Sequence, residues 1–361
     1  MKNYNQVYGK FTQGTGSWLS DKLFLIGMKN PYDKKVIDSY ISVVAGDLSK
    51  LDINSINGMH VMDVGSGRQT LALNKLGAKF VTHYDISKSN IKNFKTYLKK
   101  NNIKKIKSKH IDICKKNFNQ GDKYDLVYLQ GIIQHVKNPK QAIINIASSC
   151  KYKSKIWFYY YQVGSIHQLY AEMYRSILKD KINPLIIRDI LHLMGISIKD
   201  TNILIDDISC SYRHLISSDY YDGLFNELGF TKIFKKDVID HSKGINLRIT
   251  QAACIAGFEK NKQNINIFPK YSQPKKIDLF DYKNYIREQH SLIKKLRSIQ
   301  IKIDNILNKK KFSDIELILI AMPIIKNSLK VRISDPFIDL KESIIISFEK
   351  SYSIAKKIIK Q

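Results

Sequence analysis

Short apolar runs alternate with amphipathic stretches through the first half of this chain. The apolar runs cover residues 60–64, 79–85, 106–113, 124–130 and 155–161. The stretch after the first run, residues 69–76, repeats its apolar positions every three to four residues, which is typical of a helix. Strands that alternate with helices in this way predict an α/β fold, in which helices cover both faces of a parallel sheet.

The second half of the chain begins with helical patterns at 165–178 and 184–194, and Pro184 suits the first position of a helix. Two further strands are predicted at 230–237 and 247–258. A polar linker with Pro269 and Pro274 covers 261–276. From 277 to 361, Ile and Leu alternate with Lys at helical spacing. This last part is predicted to be helical and to mediate dimerisation, contact a partner or pack on the core.

The first strand ends in an acid and two glycines, Asp63, Gly65 and Gly67, with Ser66 between the glycines. Glycine permits unusual φ angles and removes a side chain, and the following helix presents free backbone N–H groups to an anion. The pattern predicts a site for a nucleotide-like cofactor, and a plain tight turn is the alternative.

Polar residues also end the next three strands. Asp85 follows Asp63 by about twenty residues, where an acid can accept hydrogen bonds from both hydroxyls of a ribose. The alternative is that Asp85 caps the helix that opens near Ser87. Asp112 and Gln130 end the third and fourth strands, and Asp112 is either an adenine contact or an ordinary strand-end acid. Because ligands of open α/β sheets bind at the carboxyl ends of strands, these residues predict one crevice.

Two known cofactor-binding motifs are absent from the turn, and this narrows the type of cofactor. A dinucleotide fingerprint needs a third glycine where this chain has Thr70, and the G-K-[S/T] of a phosphate-binding loop is absent. A ligand with a ribose, an adenine amino group and a positive centre therefore suits the site better than a pyrophosphate.

These segments resemble the class I S-adenosylmethionine-dependent methyltransferases. The similar segments are VMDVGSG at 61–67, YDIS at 84–87, HIDI at 110–113 and YDLVYLQGIIQHVKNP at 124–139. The last one is similar to a segment of the small-molecule branch, which includes quinone-biosynthesis and sugar methyltransferases. The chain departs from many members at Gln69, where they carry a third glycine.

The resemblance implies a Rossmann-like, mostly parallel seven-stranded sheet with an antiparallel pair at its edge, and S-adenosyl-L-methionine as the cofactor. The implied methyltransferase domain spans 56–260, with a helical lid insertion near 163–228, between an N-terminal cap at 1–55 and the helical region at 277–361. The residues implied to bind the cofactor are Asp63, Gly65, Ser66, Gly67, Asp85, Ile86, Asp112, Ile113 and Gln130. In the cap, where a helix is predicted at 34–48, Tyr8, Phe11 and Trp18 are candidate lid residues or surface-packed aromatics.

Candidate acceptor and catalytic residues complete the prediction. His135 follows the fourth strand closely and is predicted to be a general base if the acceptor must lose a proton. A structural or helix-capping histidine is the alternative. Tyr160, Arg213 and His214 are candidates to bind an anionic or hydroxylated acceptor. The predicted function is methyl transfer to a small molecule, such as a sugar or another metabolite. An RNA or tRNA methyltransferase and a non-catalytic, partner-binding relative are the alternatives.

The net charge of +28 raises the question of a nucleic-acid partner. Arginine, which phosphate recognition prefers, supplies only 8 of the 60 basic residues. Residues 259–361 contain 22 basic and 11 acidic residues, so the charge is spread out rather than concentrated. A solvated surface is therefore favoured over a nucleic-acid interface.

The remaining composition predicts a cytoplasmic protein without a membrane span or a metal site. The longest apolar region, at 315–325, is too short to cross a bilayer, and the first ten residues are polar and charged. The four cysteines are widely spread and form no C-x-x-C, so neither a disulfide framework nor a zinc site is expected; they are Cys114, Cys150, Cys210 and Cys254.

Overall fold

A seven-stranded sheet forms the centre of the protein in a computed structural model. The structure describes residues 32–360, except 116–117, 119–120, 164–165, 179–181, 183, 197–200, 202–203, 206–207, 209, 211, 239–252, 264–268, 271–278, 282, 284–286 and 334–339. The strands are β1 (His60–Val64), β2 (Phe80–Asp85), β3 (Ile106–His110), β4 (Tyr124–Gln130), β5 (Cys150–Tyr161), β6 (Phe230–Val238) and β7 (Ala253–Lys260). Their order is β3-β2-β1-β4-β5-β7-β6, and β7 runs antiparallel to both of its neighbours. The predicted Rossmann-like, mostly parallel seven-stranded sheet is therefore confirmed.

Helices connect the strands and continue beyond them. Those with defined bounds are α1 (Lys34–Lys50), α2 (Arg68–Lys75), α3 (Lys88–Lys100), α4 (Pro139–Ser148), α5 (Ile166–Leu178), α6 (Pro184–Leu193), α7 (Ser218–Glu227), α8 (His290–Leu307), α9 (Asp314–Ile333) and α10 (Leu340–Lys360). Local chemistry explains where α3 and α4 begin. The Ser87 side chain accepts from the N–H of Asn90, and the Asn138 side chain accepts from the N–H of Gln141, so both are N-caps. Pro139 then occupies the first turn of α4, where its missing N–H costs nothing.

Alternation along the strands builds a separate core on each face of the sheet. On β1, Val61 is buried with α1, α2 and α3, whereas Met62 is buried with α4 and α7. The strand ends of the predicted crevice thus lie between two helical layers. The bounds of β3 and β5 differ from the prediction in ways that bear on the site. β5 already begins at Cys150, and β3 ends at His110, so Asp112 lies in the turn after the strand.

The final helix of the predicted lid insertion belongs to the sheet. Tyr221, Leu224 and Phe225 of α7 are buried in the same core as Phe158 of β5. The insertion that leaves the sheet therefore ends before Ser218, rather than near residue 228.

The insertion and the C-terminal region share a third core. Buried residues of α5 and α6 pack with those of α8, α9 and α10, including Tyr174, Ile293 and Ile303. The Asn327 side-chain amide on α9 also donates to the Tyr170 hydroxyl on α5, at 2.5 Å. These five helices form one layer, here called the helical unit. The C-terminal helices therefore pack on the insertion, whereas dimerisation and a partner contact stay predictions.

The longest apolar region of the sequence lies in α9. Its side chains divide between the core and the surface, because Ile320 and Ile324 are fully buried whereas Ile315 is largely exposed. Among the described residues, no helix combines the length and the apolar character that crossing a membrane requires. The N-terminal aromatic residues Tyr8, Phe11 and Trp18 lie outside the described residues, as does the beginning of the strand predicted at 247–258.

Candidate active site

The turn after β1 lies where the sheet reverses its strand order. β1 pairs in parallel with β2 on one side and with β4 on the other, and ligands of open α/β sheets bind at such a switch point. Gly65 has φ +136° and Gly67 has φ +86°, values that favour glycine. A Cβ on Gly67 would lie 3.1 Å from the Phe94 ring, and one on Gly65 would lie 3.1 Å from Ile132. Both glycines are therefore required by backbone conformation and by close neighbours.

Asp63 holds the helix that follows this turn. Its carboxylate is almost fully buried and accepts from the Thr70 hydroxyl at 2.5 Å. The backbone N–H of Thr70, in the first turn of α2, also donates to it. A carboxylate at this position satisfies an otherwise unpaired N–H and complements the helix dipole. The residue that replaces the third dinucleotide glycine thus positions the motif acid.

His83 on β2 hydrogen-bonds to the same turn. One ring nitrogen, Nε2, lies 2.5 Å from the Gly65 carbonyl oxygen, and Nδ1 lies 2.9 Å from the Ser108 hydroxyl on β3. A carbonyl only accepts, so Nε2 carries the proton and Nδ1 accepts from Ser108. Burial lowers the pKa of His83 to about 4, which keeps the ring neutral. The glycine turn after β1 is therefore connected by hydrogen bonds to β2 and, through His83, to β3.

Asp85 ends β2 with three of its acceptor positions occupied, one of them by the backbone N–H of Ile86. One carboxylate oxygen accepts from the N–H of Ser87 at 2.7 Å, and the other accepts from the side-chain amide of Asn90. A carboxylate offers about four acceptor positions, so one position remains for a further donor. That position suits a hydroxyl of a ribose. Ser87 itself is the N-cap of α3, so Asp85 supports the cap rather than replacing it.

Tyr32, just before α1, covers this region from the N-terminal side. Its hydroxyl donates to the Asn90 side-chain oxygen at 3.3 Å and lies 3.4 Å from the Ser66 carbonyl oxygen. Its ring packs against Phe94, with the ring centres 5.2 Å apart. Burial and the nearby charge of Asp85 raise the pKa of Tyr32. Tyr32 of the N-terminal cap is thus joined to Asp85 through one side chain, Asn90.

The surroundings of Asp63 and Asp85 disfavour the charged form of both carboxyl groups. Burial raises the pKa of Asp63 to about 7, against the opposing effect of its Thr70 hydrogen bonds. Burial also raises the pKa of Asp85 to about 7, with a further contribution from the charge of Asp63. A ligand that donates hydrogen bonds, or that carries positive charge, relieves this cost.

The other predicted cofactor residues lie around the ends of β2, β3 and β4. Ile113 is buried, and Asp112 accepts from the N–H of Cys114 at 2.9 Å. The Ile86 carbonyl lies 2.8 Å from a ring nitrogen of His110. The side-chain oxygen of Gln130 accepts from the Trp157 indole at 2.8 Å. Their roles toward a cofactor remain predictions.

The predicted acceptor residues separate into two groups. Tyr160 is fully buried between Phe158 and Tyr221, so it is a core residue of the sheet. Its strand neighbour Tyr159 lies on the opposite face of β5, and its ring is 3.5 Å from where a Cβ on Gly131 would lie. The structure therefore brings Tyr159, not Tyr160, to the turn after β4.

His135, Arg213 and His214 come together in the structure. His135 lies in a one-turn helix after β4, and its Nδ1 is 3.2 Å from the Tyr212 carbonyl oxygen. The Arg213 guanidinium donates to the Gln168 side chain of α5. The backbone N–H of His214 donates to the Gln134 carbonyl at 2.8 Å. The insertion thus meets the sheet at the turn after β4.

Several residues of the site are not predicted as site residues by the sequence, namely Tyr32, Thr70, His83, Asn90 and Gln134. Only two carried a local signal. Thr70 stands where a third glycine was sought, and Asn90 follows the N-cap Ser87 by three residues. For Tyr32 and His83 the sequence holds no signal, because their partners are distant along the chain.

Comparison with known families decides the class of this domain. A methyltransferase domain model matches residues 62–158, which include most of β1, all of β2, β3 and β4, and most of β5. This segment belongs to the class I S-adenosylmethionine-dependent methyltransferases. The methyltransferase domain thereby contains the glycine turn, Asp85 and His135.

Relatives of the methyltransferase domain include a ubiquinone biosynthesis O-methyltransferase from Rickettsia typhi (strain ATCC VR-144 / Wilmington). It is 31% identical over 103 residues, which cover 28% of this chain and 41% of that protein. The chain thus matches less than half the length of this curated relative.

Two solved structures are also similar. The N-methyltransferase NodS from Bradyrhizobium japonicum WM9, in complex with S-adenosyl-L-homocysteine, has a TM-score of 0.41 at 12% identity, over 72% of this chain and 100% of that one. The magnesium protoporphyrin IX methyltransferase ChlM from Synechocystis PCC 6803, with bound S-adenosylmethionine, has a TM-score of 0.42 at 13% identity, over 72% and 98%.

Proposed function

We propose that this protein transfers the methyl group of S-adenosylmethionine to a small-molecule acceptor. The observation that carries the proposal is Asp85, whose buried carboxylate lies beside the turn of Gly65 and Gly67 and retains an acceptor position for a ribose hydroxyl. The name of the relative from Rickettsia typhi, an O-methyltransferase of ubiquinone biosynthesis, supports a small acceptor.

The residues of the crevice fit this cofactor. When bound, S-adenosylmethionine supplies a methyl group on a positively charged sulfur. Asp85 would hold the ribose, and the turn at Gly65 and Gly67 would admit the ligand to bare backbone. Asp63 adds negative charge near the site. Catalysis would rest mainly on alignment and exclusion of water, which can supply much of the reduction in barrier.

Calorimetry with purified protein tests cofactor binding. We expect S-adenosylhomocysteine to bind and NADH not to bind, because the turn lacks the third glycine of the dinucleotide site. A protein that binds NADH and neither S-adenosylmethionine nor its product would contradict the proposal.

Acceptor class is tested separately with S-adenosylmethionine labelled on the methyl group. We expect the label to enter a small-molecule extract and not a tRNA fraction. Labelled tRNA would favour the RNA methyltransferase alternative, and cofactor binding without transfer to either would favour a non-catalytic role. All four cysteines are free thiols, which supports a reducing cytoplasm as the proposed location.

Affinity for S-adenosylhomocysteine is expected to rise with pH between about 5.5 and 7, by up to about tenfold per unit, and then to level off. Hydroxyl donors favour the charged form of Asp85, so binding releases the proton that the raised pKa retains below pH 7. By the same linkage, Asp85 makes the free protein less stable as pH rises from about 4 to 7. Calorimetry across this range measures the slope, which should shrink in Asp85→Asn. An equal slope in that variant would assign the proton to another group.

A further inference from the structure

Three hydrogen bonds join the turn after β4 to the segment at 212–214. The Nδ1 atom of His135 lies 3.2 Å from the Tyr212 carbonyl oxygen. The backbone N–H of His214 donates to the Gln134 carbonyl at 2.8 Å. The ring of His214 also bonds to the Val136 carbonyl, which raises its pKa. Each segment therefore presents one imidazole to the backbone of the other, and both rings are held in a defined orientation.

This orientation determines which nitrogen of His214 can accept a proton. The ring atom that meets the Val136 carbonyl must be a donor, since a carbonyl oxygen only accepts. The other ring atom, Nε2, is buried and has no hydrogen-bond partner among the described residues. In the neutral ring Nε2 is then an acceptor with an unused lone pair. Burial is the largest effect on the pKa of His214 and lowers it, with a smaller contribution from His135, so the ring is mainly neutral at pH 7.

Gln134 places a second acceptor on the same pair of segments. Its side-chain amide nitrogen donates to the Gly131 carbonyl at 2.8 Å, which leaves the side-chain oxygen as an acceptor. That oxygen is also buried and lacks a partner within the described part of the chain, and Gln134 is fully buried. Buried polar atoms are nearly always hydrogen-bonded in native proteins. Two buried acceptors without donors therefore indicate a ligand that brings donors of its own.

We propose that the acceptor is a hydroxyl compound and that His214 receives the proton of the hydroxyl group that becomes methylated. This proposal rests on the proposed function. The acceptor oxygen forms a bond to the methyl carbon, its proton goes to Nε2 of His214, and the electron pair of the broken carbon–sulfur bond stays on sulfur. The products are a methyl ether, S-adenosylhomocysteine and an imidazolium that releases its proton to solvent. The Gln134 oxygen accepts from a second hydroxyl.

His135, the predicted general base, is the alternative proton acceptor, since its Nδ1 also meets a carbonyl oxygen and its Nε2 is also buried. Its ring holds Tyr212 and therefore positions the segment that carries His214. The groups that face His214 are His135 on the turn after β4 and Tyr212 and Arg213 on its own segment, with Tyr161 of β5 packed against His135. His135 disfavours a positive charge on His214, which promotes loss of the accepted proton.

The tautomer of His214 is the first test and needs no acceptor. In protein labelled with ¹⁵N-histidine and saturated with S-adenosylhomocysteine, NMR at pH 7.5 should show Nε2 of His214 without a proton. Catechol or methyl glucoside should shift this resonance, whereas benzoate, which has no hydroxyl, should not. The His214→Asn variant assigns the signal. A protonated Nε2, or no response to either hydroxyl compound, would overturn the proposal. Failure of S-adenosylhomocysteine to bind would instead overturn the proposed function.

Matched asparagine variants separate proton transfer from positioning. The asparagine amide nitrogen can replace Nδ1 as a donor to the carbonyl, but the side chain cannot take up a proton. With catechol as acceptor, His214→Asn should lower the single-turnover rate by about 10²–10⁴ and remove its dependence on pH near the histidine range. His135→Asn should lower the rate less than tenfold, and both variants should bind S-adenosylhomocysteine within twofold of the parent protein. The reverse pattern would assign the base to His135 and overturn the proposal.

Discussion

Replacing Asp85 with asparagine is expected to lower the affinity for S-adenosylhomocysteine by about tenfold to more than a hundredfold. Hydrogen bonds to a charged group contribute about 1.5–3 kcal/mol, and the amide has neither the charge nor two oxygens for the ribose hydroxyls. Its single oxygen can still accept from Ser87, so the start of α3 should be largely preserved. Isothermal titration calorimetry measures the loss, and circular dichroism checks the fold.

Asp125→Asn is the matched control for this change. Asp125 lies near the opposite end of the sheet, where it accepts from the N–H of His60 and pairs with Lys151, each at 2.8 Å. The same substitution there should leave the affinity for S-adenosylhomocysteine within twofold. If Asp85→Asn also binds like the parent protein, Asp85 only supports the helix cap, which was the alternative raised by the sequence.

Ile303→Ala is expected to reduce the free energy of unfolding by about 2–5 kcal/mol. Ile303 of α8 is fully buried in the core that the C-terminal helices share with α5 and α6. Truncation removes apolar contacts and leaves a cavity that the surrounding helices fill only in part. Because this core joins the insertion to the C-terminal region, the loss should appear in both. Denaturant unfolding followed by circular dichroism measures it.

Ile301→Ala provides the same substitution two residues away on the same helix. Ile301 is 46% exposed, so its loss should change the free energy of unfolding by only about 0.5 kcal/mol. Equal effects at the two positions would mean that the shared core does not stabilise the protein as the packing indicates. Affinity for S-adenosylhomocysteine should remain close to that of the parent protein in both variants, since neither residue lies in the crevice.

The local sequence was sufficient to predict the structure wherever neighbouring residues determine it. β1 and β4 have the bounds that their apolar runs predict, and Ser87 begins α3 as its side chain allows. The positive φ angles of Gly65 and Gly67 follow from a motif of five residues. Near-neighbour sterics, capping and the alternation of side chains act over a few residues, so they can be deduced without the fold.

Tertiary structure decided which side chains complete the site. Tyr32 reaches Asn90 across 58 positions of sequence, and the His135 ring reaches the Tyr212 backbone across 77. Tyr159 replaced Tyr160 beside the turn after β4, because the pairing of β5 with its neighbours determines which face each residue occupies. No local pattern encodes contacts of this kind.

The helical unit shows the same division at a larger scale. The sequence by itself determined that 277–361 is helical, since its apolar positions recur at helical spacing. It left dimerisation, a partner and core packing as equal alternatives, because an apolar helix face does not specify what covers it. The fold brings α5 and α6 against α8, α9 and α10, and burial of their apolar faces in one core depends on residues far apart along the chain, which no local pattern specifies.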